Sequence, residues 1–377
     1  MPQTKNTSLR VTILLPLEGT YPIGGFKVAY EYANYLAGKG HRLSVVHPAR
    51  LLIDQPLARV ALKSALRTVR HYLVNKLTGR FKPSSWFKVS PSVRLLWVPS
   101  LATKYIPDGD IVLATAWQTA EWAVIYPRSK GKKFYLIQHL EAWSGPEERV
   151  FATWKMPLKK IVIARWLQRT AEEFGQSADL IYNGLDFKQF RLIEPQDGRD
   201  PNNILMPYQG SLDWKGSTDG LAAFEIARQQ IPSLRLTLFG RDSAPEDLPS
   251  EIVYYRDPPQ HVLCDLYNKA SIFLLPSWTE GWPLPPAEAL QCGAAIVVTD
   301  IEGTAAYAIH EQTSLRSSVK DPAAMAENIL RLVRDPDLRL KLARAGHAVI
   351  QEFTWERAGS SLEQVFVKAV ETSDHID

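Results

Sequence analysis

An α/β protein built from two parallel-sheet domains is what this sequence predicts, and three observations carry the prediction. Short apolar runs alternate with helical stretches, the alternation recurs in both halves of the chain, and a change in charge separates the halves. Strands buried on both faces of a parallel sheet read as near-continuous apolar runs, with helices in the crossovers between them. At 377 residues the chain has room for two or three domains, each with a core of its own.

In the first half the strand candidates are Val11–Leu15, Arg42–Val46, Val93–Val98, Ile111–Ala114, Phe134–Ile137, Ile161–Ile163 and Leu180–Tyr182. Helical stretches such as Phe26–Ala37 and Ala116–Tyr126 lie between them. The second half repeats the theme with Ile204–Tyr208, Leu234–Phe239, Ile252–Tyr255, Ile272–Leu275 and Ala294–Val298. A last helical segment, from Trp355 to about Val370, has no strand after it.

The net charge of +4 hides an asymmetry. Residues 1–190 hold 27 Lys/Arg against 13 Asp/Glu, and the remainder 17 against 27. A basic half favours anionic surfaces, and opposite signs favour docking of the halves across a cleft. No apolar run approaches a membrane span, and Leu9–Leu15 reads as a first buried strand rather than a secretory signal. Cys264 and Cys292 lie far apart in apolar helical contexts, so a reduced, cytosolic state is expected. There is no G-x-G-x-x-G and no G-x-x-x-x-G-K-[ST], which removes the main support for dinucleotide oxidoreductases and P-loop enzymes.

The most informative run is PSWTEGWPLPPAEALQCGAAIVVTD, residues 276–300. A buried strand enters a Pro/Gly-rich loop, a helix opens near Pro285-Pro286, and a second strand follows. Ligands of open α/β sheets bind beyond the carboxyl ends of the strands, so Glu280 on the loop and Glu288 one turn into the helix can face one crevice. A carboxylate there can accept hydrogen bonds from a diol, and the exposed amides of Gly281, Trp282 and Leu284 can meet phosphate or sugar oxygens. The alternative is two solvated surface acids.

This run resembles the Glu-x7-Glu signature of the retaining nucleotide-sugar glycosyltransferases of family four, P-S-x-x-E-G-F-x-L-x-x-x-E-A-x-x-C/A-G. Pro276, Ser277, Glu280, Gly281, Leu284, Glu288, Ala289, Cys292 and Gly293 match it. The resemblance implies the GT-B fold, two Rossmann-like domains with parallel sheets facing a central cleft. It divides the chain into an acceptor-side domain at 1–190, with a basic insertion at about 50–90, and a nucleotide-sugar-binding domain at 191–354. A final helix at 355–377 is expected to cross back to the first domain. It further implies that Glu280 contacts the donor sugar and Glu288 the nucleotide ribose. Pro283 departs from the pattern and removes one N–H from the loop.

Other residues gain a role from the same resemblance. Gly24-Gly25, between the first strand and a helix, matches the family's donor-diphosphate loop; read alone it is equally a turn. His139 follows the strand Phe134–Ile137, where the family carries a histidine that contacts the transferred sugar, although an isolated histidine is more often structural. Glu141 and Trp143 are acceptor-side candidates, or simply line a loop. Gly210, Lys215 and Gly216 match G-R-x(3–4)-K-G, whose Arg and Lys hold the diphosphate; the alternative for Lys215 is a solvated lysine. Ser211 stands where the arginine is expected, so some phosphate neutralisation must come from elsewhere, with Arg241 and Arg256 both candidates. Asn183-Gly184-Leu185-Asp186 with Phe190 resembles the family's N-G-V-D-x-x-x-F run and reads as a turn near the hinge. Glu302-Gly303-Thr304 replaces a G-G-x-x-E segment and lacks its carboxylate.

Asp108-Gly109-Asp110 has the D-x-D spacing of metal-dependent transferases, but it precedes its strand and reads as a turn; Asp335-Pro336-Asp337 reads the same way. No Cys/His cluster has metal-ligand spacing, so no metal and no cofactor are expected. Residues 55–107 hold ten Lys/Arg and no Asp or Glu. Arg59, Lys63, Arg67 and Arg70 share one helical face, and Leu62, Leu66, Val69, Leu73 and Leu77 another, with Trp86 and Phe87 beyond. Such a helix either lies in a membrane interface over residues 55–104 or packs on the core with a solvated basic face. No nucleic-acid motif is present.

The expected function is a metal-independent retaining glycosyltransferase. It moves a hexose-type sugar from an NDP-sugar, UDP favoured and GDP possible, to a carbohydrate or lipid-linked acceptor. The expected location is cytoplasmic, with possible peripheral attachment to the inner face of a membrane. The alternatives are a nucleotide-sugar epimerase or phosphorylase, or a degenerate, non-catalytic protein that docks on membranes.

Overall fold

The computed structural model describes residues 8–20, 22–49, 62–79, 81, 83–244 and 248–372. Arg59 lies outside them, as do the side chains of Leu62, Lys63 and Leu66. The chain divides into two compact units, one formed by 1–183 with 355–377 and the other by 184–354.

The first unit runs β1 (Arg10–Leu14), α1 (Gly24–Gly38), β2 (Arg42–Pro48), α2 (Leu62–Leu77), β3 (Arg94–Val98), β4 (Ile111–Ala114), α3 (Trp117–Val124), β5 (Lys132–Ile137), α4 (Glu147–Trp154), β6 (Lys159–Val162), α5 (Arg165–Glu173) and β7 (Ala178–Leu180). Its sheet has the order β3-β2-β1-β4-β5-β6-β7, and every pairing is parallel. Valine, isoleucine and leucine fill β1, β2 and β4, as strands covered on both faces require.

The second unit runs β8 (Asn203–Pro207), α6 (Ser217–Gln230), β9 (Arg235–Gly240), β10 (Ile252–Arg256), α7 (Gln260–Lys269), β11 (Ile272–Leu275), α8 (Leu284–Gln291), β12 (Ala295–Thr299), β13 (Leu315–Ser317), α9 (Pro322–Arg334) and α10 (Pro336–Ile350). Its sheet, β10-β9-β8-β11-β12-β13, is also all parallel. Asp321 and Asp335 cap α9 and α10 by accepting from Ala324 N–H and Leu338 N–H, each followed by proline at the first helical position. The inter-helix turn read at Asp335-Pro336-Asp337 is present, with Asp335 closing α9 and capping α10.

The division falls at Asn183–Gly184, ahead of residue 190, because the following turn is built into the second unit. Asp186 Oδ1 accepts from the amides of Lys188 and Gln189, and Phe190 packs edge-on against Tyr267 at 5.6 Å. The two ends of this unit meet: Leu185 N–H donates to Phe353 O at 2.9 Å, and Leu185 bridges Thr354.

The chain then returns to the first unit as α11 (Trp355–Glu371), which packs along α1. Phe366 meets Phe134 at 4.8 Å, and His41 Nε2 lies 2.9 Å from Glu363 Oε1. A Cβ at Gly359 would fall 2.3 Å from the Tyr35 ring, so only glycine lets the two helices approach this closely.

Candidate functional site

In the second unit β8 leads outward to β9 on one side, while β11 and β12 extend the other. The carboxyl ends of β8 and β11 thus flank a topological switch point, where open α/β sheets bind ligands. Lys215 follows β8 and Glu280 follows β11. Their side chains meet at the switch, Lys215 Nζ donating to Glu280 Oε1 at 2.8 Å. The same oxygen accepts from Ser277 Oγ at 2.9 Å. The Lys215 ammonium also lies 4.3 Å from the Trp214 ring centroid.

Small residues make this meeting possible. Gly216 has φ +62°, and a Cβ there would fall 2.1 Å from Pro276 O. Trp278 N–H donates to Trp214 O at 2.7 Å, and Trp278 Nε1 to Asp219 Oδ2 at 2.6 Å, so the two loops are fastened to each other. A third loop closes on Glu280 from beyond β12: a Cβ at Gly303 would meet Glu280 O at 2.4 Å. The Glu302-Gly303-Thr304 segment, which lacks the family's carboxylate, acts here as backbone packing.

Glu288 lies on the second turn of α8, which opens at Leu284, one residue before the expected Pro285-Pro286. It is buried, and its Oε2 accepts from Tyr267 Oη at 3.1 Å. Neither glutamate of the signature is a solvated surface acid. The loop between them differs from expectation in one respect. Gly281 and Trp282 are buried, and only Leu284 is half-exposed, so amides 281 and 282 do not form an open cradle. The cause is the Trp282 ring, which packs at 5.1 Å from Tyr307 and 5.4 Å from Phe353 and draws the loop inward.

Ser211 N–H donates to Asp242 Oδ2 at 2.8 Å. The Ser211 amide and hydroxyl hold the Asp242 carboxyl below its ordinary range, and Arg241 and Arg256 act in the same direction. Both arginines therefore stand near the Ser211 loop, Arg241 just past the carboxyl end of β9 and Arg256 as the last residue of β10. Arg256 Nε donates to Arg241 O at 3.2 Å.

In the first unit the corresponding switch lies between β1 and β4. Gly24 and Gly25 open α1 there, and Gln138, at the end of β5, donates from Nε2 to Gly25 O at 3.2 Å. His139 Nδ1 accepts from Leu140 N–H at 2.8 Å, which in the neutral ring leaves the proton on Nε2. Trp143 stands edge-on to the imidazole at 4.2 Å and is 48% exposed. Glu141 does not line this face. It sits at φ +60°, and its carboxylate turns inward, Oε2 accepting from Trp117 N–H at 2.9 Å at the start of α3. Burial pushes this carboxyl up to about 7, against the opposing hydrogen bonds from Trp117 and Tyr135.

The D-x-D pair has partners of its own. Asp110 takes the Arg10 guanidinium at 2.7 Å and the Arg10 amide at 2.8 Å, and Asp108 takes Lys130 at 2.7 Å. Both are fastenings at the amino end of β4. Sequence reasoning missed Tyr267 and Asp242. Neither belongs to a motif, and each is identified only by what it touches.

The comparisons with known proteins agree with this geometry. Residues 205–335 match the family Glycosyl transferases group 1. A glycogen synthase of Mycobacterium tuberculosis (strain CDC 1551 / Oshkosh) is 26% identical over 283 residues, 66% of this chain and 67% of that protein. Over that segment, and in its fold, the chain is similar to the group 1 glycosyltransferases. A Campylobacter jejuni N,N'-diacetylbacillosaminyl-diphospho-undecaprenol alpha-1,3-N-acetylgalactosaminyltransferase is 36% identical to this chain over 110 residues, 28% of the chain and 29% of that protein. Anabaena Alr3699/HepE, solved in complex with UDP-glucose, superposes with a TM-score of 0.72 at 13% identity over 96% of this chain and 100% of that one, a likeness of GT-B fold.

Proposed function

We propose that this protein is a glycosyltransferase that moves a hexose-type sugar from a nucleoside-diphosphate sugar, with UDP the favoured nucleotide and GDP the next, to a carbohydrate or lipid-linked acceptor with retention at the anomeric carbon. One observation carries the reading: Lys215 and Glu280 meet at 2.8 Å at the switch point of the second sheet. There a single ammonium can release one carboxylate contact for a phosphate oxygen while its other donors stay in place.

In this reading Lys215 meets the diphosphate, with Arg241 supplying the charge that Ser211 lacks, and the backbone at Leu284 adds to the donor side. Glu288 accepts from the ribose hydroxyls, and Glu280 orients the sugar. In the first unit His139 offers its Nε2–H to a sugar hydroxyl, Trp143 offers an exposed ring, and Gly24-Gly25 opens a helix N-terminus toward anionic oxygens. The bond from C1 to the diphosphate oxygen breaks as the bond from C1 to the acceptor oxygen forms on the same face. The acceptor proton passes to the departing phosphate. Cationic side chains neutralise that phosphate, so the proposal is metal-independent. The UDP-glucose complex of Anabaena HepE supports the nucleotide, and the undecaprenol-linked substrate in the Campylobacter enzyme's name supports a lipid-linked acceptor.

A thermal-shift panel of UDP, GDP, ADP and dTDP tests it, with and without EDTA, on the wild type and Glu288→Ala. Stabilisation by one diphosphate, insensitive to EDTA and lost in the variant, is the expected outcome. No shift with any nucleotide overturns the reading in favour of a non-catalytic protein.

A further inference from the structure

Among the described residues of helix α2, those that hydrogen-bond or stack against the rest of the unit are polar or aromatic. The Tyr72 ring stacks on Trp97, whose Nε1 donates to Tyr72 O, and His71 Nε2 lies 2.5 Å from Glu18 Oε1. Its outer face carries the aliphatics. Leu77 is 84% exposed, and Val69, Leu73 and Val74 are 41–46% exposed. At a helical spacing, Val69, Leu73 and Leu77 form one stripe with Val74 at its edge, bordered by Lys76 on one side and by Arg67 and Arg70 on the other. Core packing, the alternative left open by the sequence, therefore does not describe this face.

We infer that the outer face of α2 docks on an anionic lipid bilayer, lying in the plane of the interface with Val69, Leu73 and Leu77 in the headgroup boundary. Charge complementarity selects this occupant. Residues 55–107 hold ten Lys/Arg and no Asp or Glu, so pairing this face with the same face of a second copy would bring like charge against like. Nucleic acid would meet the cations but has no use for a stripe of leucines, because protein–DNA interfaces are polar. A bilayer surface accommodates both at once. No described helix is long and apolar enough to cross a membrane, so the contact is in-plane.

The docking helix is tied to the glycine-bearing loop of the first unit. Besides the His71–Glu18 contact, Trp86 Nε1 donates to Gly19 O at 2.8 Å, five residues before Gly24. A lipid-linked acceptor would thus reach the carboxyl ends of β1 and β4 from the membrane side. The docking itself does not rest on the transferase reading.

The test is co-sedimentation of the full chain with vesicles of equimolar phosphatidylcholine and phosphatidylglycerol, and with pure phosphatidylcholine. It compares the wild type, Leu73→Glu/Leu77→Glu and Arg67→Glu/Arg70→Glu, each checked for unchanged far-UV dichroism. The expected result is wild-type binding to the anionic vesicles alone, weakened by salt, and at least about tenfold weaker in either variant. Absence of wild-type binding overturns the inference, and so does binding that survives Leu73→Glu/Leu77→Glu. A wild-type dimer converted to monomer by that variant overturns it in favour of a second copy. A shifted duplex-DNA probe without vesicle binding overturns it in favour of nucleic acid.

Discussion

Replacing Lys215 by methionine separates the two halves of the candidate donor site. The ammonium lies 2.8 Å from Glu280 Oε1, with side-chain exposures of 23% and 10%. At an effective dielectric of about 20 the gross attraction at that distance is about 6 kcal/mol, and desolvation offsets much of it. Removing one partner of a buried pair costs roughly 3–5 kcal/mol, because the other charge is left without compensation. Here the lysine head is partly wet and Ser277 Oγ still donates to Glu280, so about 2 kcal/mol is expected for Lys215→Met. Glu280→Gln keeps an acceptor for Ser277 and should cost less. In the double variant the costs should not add, leaving a coupling of about 1–2 kcal/mol. Urea denaturation of the four proteins measures the stability terms, and calorimetric titration with UDP measures the ligand term. UDP affinity should fall about ten- to a hundredfold in Lys215→Met, the loss of one or two hydrogen bonds to a charged group. Additivity within about 0.5 kcal/mol together with unchanged UDP affinity refutes the reasoning.

Three further outcomes follow from the same contacts. Glu288→Ala should weaken UDP binding about ten- to a hundredfold in a calorimetric titration, whereas Glu288→Gln, which still accepts from Tyr267 Oη, should retain the wild-type melting temperature. Gly303→Ala places a methyl 2.4 Å from Glu280 O, and should cost about 1–3 kcal/mol in urea unfolding and lower UDP affinity along with it. The third concerns pH. Glu141 titrates near 7 when folded and near 4.5 when unfolded, so the folded state binds the extra proton and stability falls as pH rises between those values. His47, buried on the Leu17 carbonyl, is lowered to about 4 from 6.5, so its contribution rises with pH over 4–6.5. The two opposing slopes largely cancel in the wild type. Glu141→Gln should expose the His47 slope, making the variant about 3 kcal/mol more stable relative to wild type at pH 8 than at pH 4.5 in urea titrations. A pH-independent difference would show that Glu141 is solvated in the folded chain.

The strands were legible because burial on both faces writes itself as runs of valine, isoleucine and leucine, and observed ends differ from predicted ones by no more than two residues. The exception is β13, where Leu-Arg-Ser at a sheet edge carries no such run. The Glu280–Glu288 spacing was legible because a strand, a loop and a helix fix it locally. The inward turn of Glu141 was not, since it depends on a left-handed residue and on an amide 24 positions away at Trp117. The burial of Gly281 and Trp282 escaped for a similar reason, because Tyr307 and Phe353 come from other loops. On α2 the pattern was plain in the sequence, but two arrangements of the same stripes fitted it. Only the exposure of Leu77 and its neighbours sets aside packing of that stripe on the core.

The return of α11 to the first unit has a consequence for biosynthesis. Phe134 and helix α1 are made early, but Phe366 and Gly359, which cover them, are made only after the whole of the second unit. The second unit is contiguous and closes on itself where Leu185 meets Phe353 and Thr354. During synthesis it can complete its core while the unit that precedes it still waits for a helix, so the later-made domain is the first to be finished.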